Sequence, residues 1–478
     1  MKIILSLILI LFSVASQAQK SPNILFLLAD DLSYPFLSVY GDPIVKTPNL
    51  DRIASQGVVF SNAYCAAPSC TPSRAAILTG LYPHKLGEGV NLVGRLDSKI
   101  PTYVKLMREK GYSVAFDRKG WAPGDYTKSG YKENPAGTSI EFNKFLKELP
   151  NEKPFFFWFG TNDPHRAFPL GAGKLNGIDP GKIKVPGFLP DSPEVRGDMA
   201  DYFNLIQRFD KEVGELLEVL KSSGRLENTI IVVTGDNGMP FPHAKANLYD
   251  HGTRVPLIIA NFSNKVQHNK KNDSFVNLID LTPTFLDLAE IGNRPAMDGI
   301  SLVPILRGTK DSNRSEVFLE RERHCLARLD SGMHSGYPMR AIRTKDYLYI
   351  MNLRPTRTPA GDESIANTPS LYGDVDGGPT KAFLIDNKEH LKVKYFFDLS
   401  FNKRSAEELF IIKDDPDNLN NVAALPQYSS VKRDLRERLK KWMNDTNDPR
   451  RNGSGNEIDR YEATTTAWIT KWGIVFVD

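Results

Sequence analysis

Three unbroken apolar runs, each closed by acidic, amide or imidazole side chains, organise the chain. Residues 23–29 read Asn-Ile-Leu-Phe-Leu-Leu-Ala and end in Asp30-Asp31. Residues 154–160 (Pro-Phe-Phe-Phe-Trp-Phe-Gly) lead to Asn162-Asp163-Pro164-His165, and residues 229–234 (Thr-Ile-Ile-Val-Val-Thr) lead to Gly235-Asp236-Asn237-Gly238. Continuous rather than alternating hydrophobicity predicts strands covered on both faces, as in a parallel sheet. In such sheets ligands bind beyond the carboxyl ends of the strands, so these polar endings predict a site on one edge. Between the runs the apolar period lengthens to that of a helix. Phe203, Ile206, Phe209, Val213, Leu216, Leu217 and Leu220 mark a helix over 201–221 that stops at Ser-Ser-Gly, and Thr282-Pro283-Thr284 opens another with Phe285, Leu286 and Leu288 as its core. This strand–helix alternation predicts an α/β fold, doubly wound about a mostly parallel sheet. After about residue 350 Gly, Asp, Asn and Pro become frequent. One further amphipathic helix is then predicted over 429–443, with Val431, Leu435, Leu439 and Trp442 inward and Lys and Arg outward.

Composition narrows the classes. With 478 residues, 41% hydrophobic and 25% charged, the chain can bury a large core. Sixty-one basic against 57 acidic residues give a net charge of +4, with no basic stripe, which argues against nucleic acid as a partner. Residues 1–18 have a positive start at Lys2, an apolar stretch over 3–14 and small residues at Ser16 and Ala18. That is the pattern of a secretory leader too short to span a bilayer, so an exported mature protein (periplasmic or secreted, without a membrane span) is expected. Only three cysteines are present, Cys65, Cys70 and Cys325, so at least one is unpaired or modified.

Asp30 and Asp31 at a strand end repel one another unless a cation or a proton intervenes. Asp236 and Asn237 at a second strand end add a carboxylate and an amide oxygen. An oxygen-rich set with few histidines fits a hard divalent ion, calcium or magnesium, better than zinc.

Residues 70–80, Cys-Thr-Pro-Ser-Arg-Ala-Ala-Ile-Leu-Thr-Gly, resemble the signature of the formylglycine-dependent sulfatases. In that family the cysteine of Cys-x-Pro-Ser-Arg is oxidised by a formylglycine-generating or sulfatase-maturating enzyme to an aldehyde, whose hydrate attacks sulfur. The resemblance implies a formylglycine at Cys70 steadied by Arg74. It implies a calcium site of Asp30, Asp31, Cys70, Asp236 and Asn237. The run from Lys245 to Pro256 is similar to the family's Lys-x-x-x-Tyr-Glu-Gly-Gly-x-Arg-Val-Pro, with Asp250 and His251 in place of Glu and Gly; it implies sulfate binding by Lys245 and places His251 and Arg254 near the sugar. His165 in Asn-Asp-Pro-His-Arg matches a histidine that protonates the departing oxygen, and Arg166 follows it as a substrate-binding candidate. The family's Gly-Lys-Trp-His-x-Gly has its counterpart in Lys119-Gly120-Trp121-Ala122, so Lys119 joins the sulfate-binding set while Ala122 replaces a histidine. With Cys70 modified, Cys65 and Cys325 are left free to pair.

Several runs are similar to the sulfamidase branch: Asp163-Pro164-His165-Arg166, the stretch over 186–200, residues 236–242 and Tyr337-Pro338-Met339-Arg340. The resemblance implies an alkaline-phosphatase-like catalytic domain over 19–350 and a C-terminal subdomain of antiparallel sheet and helix over 351–478. It implies hydrolysis of sulfate on a polysaccharide or its oligosaccharides, either an algal polymer such as ulvan or a glycosaminoglycan. Two readings compete with it: a phosphate-ester hydrolase of the same superfamily, and a glycan-binding protein that has lost turnover at Ala122.

Overall fold

The computed structural model describes residues 21–463 apart from 264, 313, 331, 366, 367 and 370; the leader over 1–18 lies outside the described residues. Eight strands form the main sheet: β1 (Asn23–Ala29), β2 (Gly57–Tyr64), β3 (Ser113–Arg118), β4 (Thr138–Ser139), β5 (Phe155–Gly160), β6 (Thr229–Gly235), β7 (Arg254–Asn261) and β8 (Lys270–Asn277). Their order is β4-β3-β5-β1-β6-β7-β2-β8, and β7 alone runs against the rest. The three apolar runs are therefore the three central neighbours, with Phe26 of β1 level with Trp158 of β5 and Val232 of β6.

Successive side chains on a strand point to opposite faces, and here each set has its own helical cover. Leu25, Leu27, Phe157, Phe159, Ile231 and Val233 pack on one face against Phe203, Ile206, Phe209, Val213 and Leu217 of the helix at Pro193–Ser222. Ile24, Phe26, Phe156, Trp158, Ile230 and Val232 pack on the other against helices at Cys70–Thr79 and Leu281–Leu288. In chain order these three helices are α1 (Cys70–Thr79), α2 (Pro193–Ser222) and α3 (Leu281–Leu288). Helix α2 starts earlier than the apolar period suggests. Ser192 caps it by accepting from Val195 N, Pro193 occupies its first turn, and Val195 and Met199 extend the buried stripe.

A second sheet is antiparallel, with strands β9 (Glu316–Arg321), β10 (Met339–Thr344), β11 (Tyr347–Asn352) and β12 (Glu407–Ile411) in the order β12-β11-β10-β9. Residue 350 falls inside β11, because the change in composition marks the loops after that strand rather than the start of the sheet. Helix α4 (Ser429–Asp445) covers this sheet with Leu435, Leu439 and Trp442. The Trp442 ring stacks on Phe318 of β9 at 4.9 Å and meets Tyr82 edge-on at 4.9 Å, tying the second sheet to the segment that follows α1.

All three cysteines are buried free thiols. Cys65 lies in the core under α1, whereas Cys325 packs with Cys70, Leu92 and Ala327, so the two do not pair. Among the described residues, no helix is long and apolar enough to cross a membrane.

Trp442 joins the second sheet to the segment after α1 through buried aromatic contacts, so Trp442→Ala is expected to cost about 3–5 kcal/mol of stability. Chemical denaturation of the two proteins, compared through their midpoints, checks this.

Candidate active site

Six elements deliver side chains to the carboxyl edge of the main sheet. β1 ends in Asp30 and Asp31, and Asp31 adopts a left-handed φ of 67°, a conformation that costs energy for a residue with a Cβ. That turn is pinned by Asp30 N donating to the Asp163 carbonyl at 2.9 Å and by Asp31 N donating to Asp236 Oδ1 at 3.0 Å. β6 delivers Asp236 and Asn237, β3 delivers Lys119 and β5 delivers His165. Because β7 runs backwards, the segment that enters it brings Lys245 to the same edge. Cys70 opens α1, and its Sγ lies 3.5 Å from Asp30 Oδ1.

Arg74, one turn beyond Cys70 and fully buried, fixes the floor. Its Nε donates to Asp236 Oδ2 at 2.8 Å, one terminal nitrogen donates to the Lys119 and Gly120 carbonyls at 3.0 and 2.9 Å, and the other approaches Asp30 Oδ1 at 3.4 Å. Lys119 Nζ donates to Asp30 Oδ2 at 2.5 Å, and Lys245 Nζ donates to both Asp31 oxygens at 2.6 and 2.7 Å. His165 Nδ1 faces the Arg166 carbonyl at 2.5 Å; a carbonyl only accepts, so Nδ1 carries the proton there. Nε2 is then the exchangeable nitrogen, 3.8 Å from Asp31 Oδ2, and the imidazole groups with Asp30 and Cys70 within 4.8 Å.

Burial opposes the charge of Asp30, but Lys119, His165 and Arg74 outweigh it and hold the carboxyl far below the usual range. Asp236 goes the other way: burial, aided by Asp30 and Asp31 and only partly offset by Arg74, pushes it up to about 6. The compensating charge thus falls unevenly on these two carboxylates, more on Asp30 than on Asp236. Burial also pushes the Cys70 thiol well above its ordinary value, which keeps it protonated and a poor nucleophile as a cysteine.

A divalent ion fits these residues. Asp30, Asp31 and Asp236 each bring an oxygen within 4.8 Å of the others, and Asn237 Oδ1 is buried without a hydrogen-bond partner. A donor set made of oxygens suits calcium or magnesium. Beside it opens a cleft of about 730 Å3, lined by Asp30, Lys119, Ala122, His165, Arg166 and Arg208 among others. Ala122 therefore stands in the cleft wall, where its methyl brings no proton donor.

The arrangement brings together Asp30, Asp31, Cys70, Arg74, Lys119, His165, Asp236, Asn237 and Lys245. Three other expected residues are placed differently. Arg166 reaches the cleft wall, but its guanidinium is held by both Asp198 oxygens at 2.8 and 2.7 Å and by the Pro240 carbonyl at 2.9 Å, between the rings of Phe168 and Phe241. His251 binds Asp417 at 3.0 Å and packs on Phe188. Arg254 lies over the Tyr34 ring and donates to the Ser61 carbonyl and Asn62. His251 and Arg254 are thus engaged by the protein's own framework, away from the Lys245–Asp31 pair. Two groups without a local sequence signal join the site from the second unit. Asp376 lies 3.5 Å from Lys245 Nζ, and His324 Nδ1 lies 2.8 Å from the Ser69 hydroxyl, beside Cys70.

This geometry agrees with what the chain is similar to. Residues 22–291 match the sulfatase family model. The chain belongs to the sulfatase family. Its fold is accordingly alkaline-phosphatase-like, and residues 242–356 match the model described as N-sulphoglucosamine sulphohydrolase, C-terminal. The human N-sulphoglucosamine sulphohydrolase is 28% identical, over 89% of this chain and 91% of its own. An ulvan-active sulfatase of Formosa agariphila is also 28% identical, over 89% of this chain and 75% of its own. A solved structure in complex with its substrate D-glucosamine-2-N,6-O-disulfate superposes with a TM-score of 0.64 at 20% identity, covering 93% of this sulfatase and all (100%) of that chain.

Removing Arg74 strips the buried Asp236 carboxylate of its partner, so Arg74→Ala is expected to cost about 3–5 kcal/mol, measured as a fall in the unfolding midpoint. Lys245→Ala is expected to lower kcat/KM for an aryl sulfate by more than about 10²-fold. Arg254→Ala is expected to shift the unfolding midpoint instead, with kcat/KM within a few fold of wild type.

Proposed function

We propose that this sulfatase is exported and hydrolyses sulfate groups on a sulfated polysaccharide or its oligosaccharides, through a formylglycine made from Cys70. The observation that carries the reading is the setting of Cys70: a thiol kept neutral by burial, beside two lysines and an oxygen cage suited to a cation. Formylglycine would supply a hydrated aldehyde, and so a nucleophilic hydroxyl, where the thiol is inert. A calcium ion held by Asp30, Asp31, Asp236 and Asn237 would polarise a sulfate oxygen and offset charge.

The chain's own groups define the remaining roles. Lys119 and Lys245 flank Cys70 and bind the anionic sulfate. Arg74 fixes the start of α1 against Asp236 and so orients the nucleophilic position. His165 presents Nε2 to the cleft, where the departing sugar oxygen takes up a proton. The names of the relatives support a carbohydrate substrate, with glycosaminoglycans and ulvan as the polymers to test. The leader over 1–18 supports export to the periplasm or beyond, and the Cys-Thr-Pro-Ser-Arg run supports a formylglycine-generating or sulfatase-maturating enzyme as partner.

The deciding experiment is peptide mass spectrometry across Cys70 on protein co-expressed with a formylglycine-generating enzyme. The expected result is replacement of the thiol by an aldehyde, together with hydrolysis of 4-nitrophenyl sulfate and of one glycan among ulvan, carrageenan and heparan sulfate oligosaccharides. Cys70→Ala is expected to lose more than about 10³-fold in kcat. Chelation with EDTA is expected to abolish activity and calcium to restore it. An unmodified thiol, under conditions that convert another sulfatase, would overturn the reading.

A further inference from the structure

Asp376 belongs to a loop of the second unit that is fixed before anything binds. On one side Asp374 accepts from Arg321 and Arg328 at 2.7 Å each and from Cys325 N at 2.8 Å. On the other, the Arg166 guanidinium presses on Gly378, where a Cβ would lie only 2.2 Å from its terminal nitrogen. Thr380 binds the Asp198 carboxylate that also holds Arg166, through its backbone N at 3.2 Å and its hydroxyl at 2.6 Å. Lys381 Nζ closes the loop by donating to the Tyr372 and Val375 carbonyls at 3.1 and 2.6 Å.

From this frame Asp376 reaches the catalytic cluster. Its Oδ2 lies 3.5 Å from Lys245 Nζ, and its carboxylate groups with Asp31 and His165 within 4.8 Å. Oδ2 is buried yet accepts no hydrogen bond, while the side chain as a whole is 23% exposed. Lys245 Nζ stands off as an ion pair because it is committed to both Asp31 oxygens, so Oδ2 keeps room for a hydrogen bond from a partner that arrives later. Burial opposes its charge, but Lys245, His165, His324 and Arg166 hold the carboxyl far below the usual range. An ionised carboxylate can only accept, so the missing partner is a donor.

We propose that Asp376 determines specificity: it accepts a hydrogen bond from the hydroxyl or N–H next to the scissile sulfate, and it rejects sugars sulfated at that neighbouring position. The inference rests on the sulfatase reading above, in which Lys245 holds the scissile sulfate and so places the adjoining sugar function beside Asp376. A free hydroxyl or an amine N–H satisfies Oδ2. A second sulfate brings a like charge and no donor.

The test compares wild type, Asp376→Asn and Asp376→Ala on three substrates: 4-nitrophenyl sulfate, which has no sugar donor; the glycan of the panel above with the highest kcat/KM; and that glycan carrying a further sulfate on the vicinal position. For Asp376→Ala the expected loss in kcat/KM on the glycan exceeds that on the aryl sulfate by about 10–100-fold, as for a hydrogen bond to a charged group. Asp376→Asn is expected to narrow the preference for the free vicinal position at least about tenfold, with calcium bound at wild-type stoichiometry. Equal losses on aryl sulfate and glycan, an unchanged preference, or lost calcium (which would make Asp376 a metal ligand) would each overturn the proposal and leave the sulfatase reading standing. Wild-type protein inert toward aryl sulfate and glycans alike would instead overturn that reading, and this one with it.

Discussion

Three buried carboxylates at one end of a sheet are the constraint on which the site depends. Asp30, Asp31 and Asp236 lie where β1 and β6 end side by side, and solvent cannot screen them. Their repulsion is met from four directions: Arg74 from α1, Lys119 from β3, Lys245 from the segment entering β7, and backbone amides of Asp31 and Asn237 on Asp236 Oδ1. Each compensating group therefore has to come from a different element. Removing one leaves a buried charge without a partner, which costs more than the lost contact alone. The same balance prepares the site for an anion. Three carboxylates against Arg74, Lys119 and Lys245 are close to neutral, so a divalent cation among those oxygens would leave positive charge in excess, with Lys119 in the cleft wall.

Much of this was legible because strand ends announce themselves. A strand buried on both faces carries no alternation, and the residues after it are polar only when something there needs them. Asp30, Asp31, His165, Asp236 and Asn237 could be read that way. Arg74 came with the resemblance of the run over 70–80, and helical spacing is consistent with its place one turn past Cys70. Adjacency in a motif was less informative. His251 and Arg254 lie in the same run as Lys245, yet they bind Asp417 and the Ser61 carbonyl, because a single helical turn at Asp250–Thr253 separates Lys245 from the start of β7. Arg166 follows His165 directly, but Asp198, far along the chain on α2, claims its guanidinium. Asp376 and His324 had no local signal at all, since only tertiary packing brings the second unit against Lys245 and Ser69.

The second sheet is therefore more than a cover for hydrophobic surface. Trp442 and Phe318 fasten it to the segment following α1, and the Asp374 loop then reaches back across the interface to the catalytic edge. That arrangement gives the site two independent anchors. The main sheet fixes Asp30, Asp31, Asp236 and Lys119. The loop carrying Asp376 is held separately, by Arg321 and Arg328 on Asp374 and by the Asp198 carboxylate on Thr380.

Ala122 shows how the same logic bears on proton handling. A methyl group in the cleft wall neither donates nor accepts, so a proton moving near Cys70 has to use another group. Among the described residues, His165 is the imidazole grouped with Cys70 and Asp30. Its Nδ1 is tied to the Arg166 carbonyl, and Arg166 is in turn held by Asp198 and Pro240. The ring therefore cannot flip to offer its other nitrogen without breaking a buried network, and Nε2 is left as its one exchangeable position. The tautomer of this ring is thus set by a backbone carbonyl whose own residue is anchored by Asp198 and Pro240, outside the carboxylate cluster.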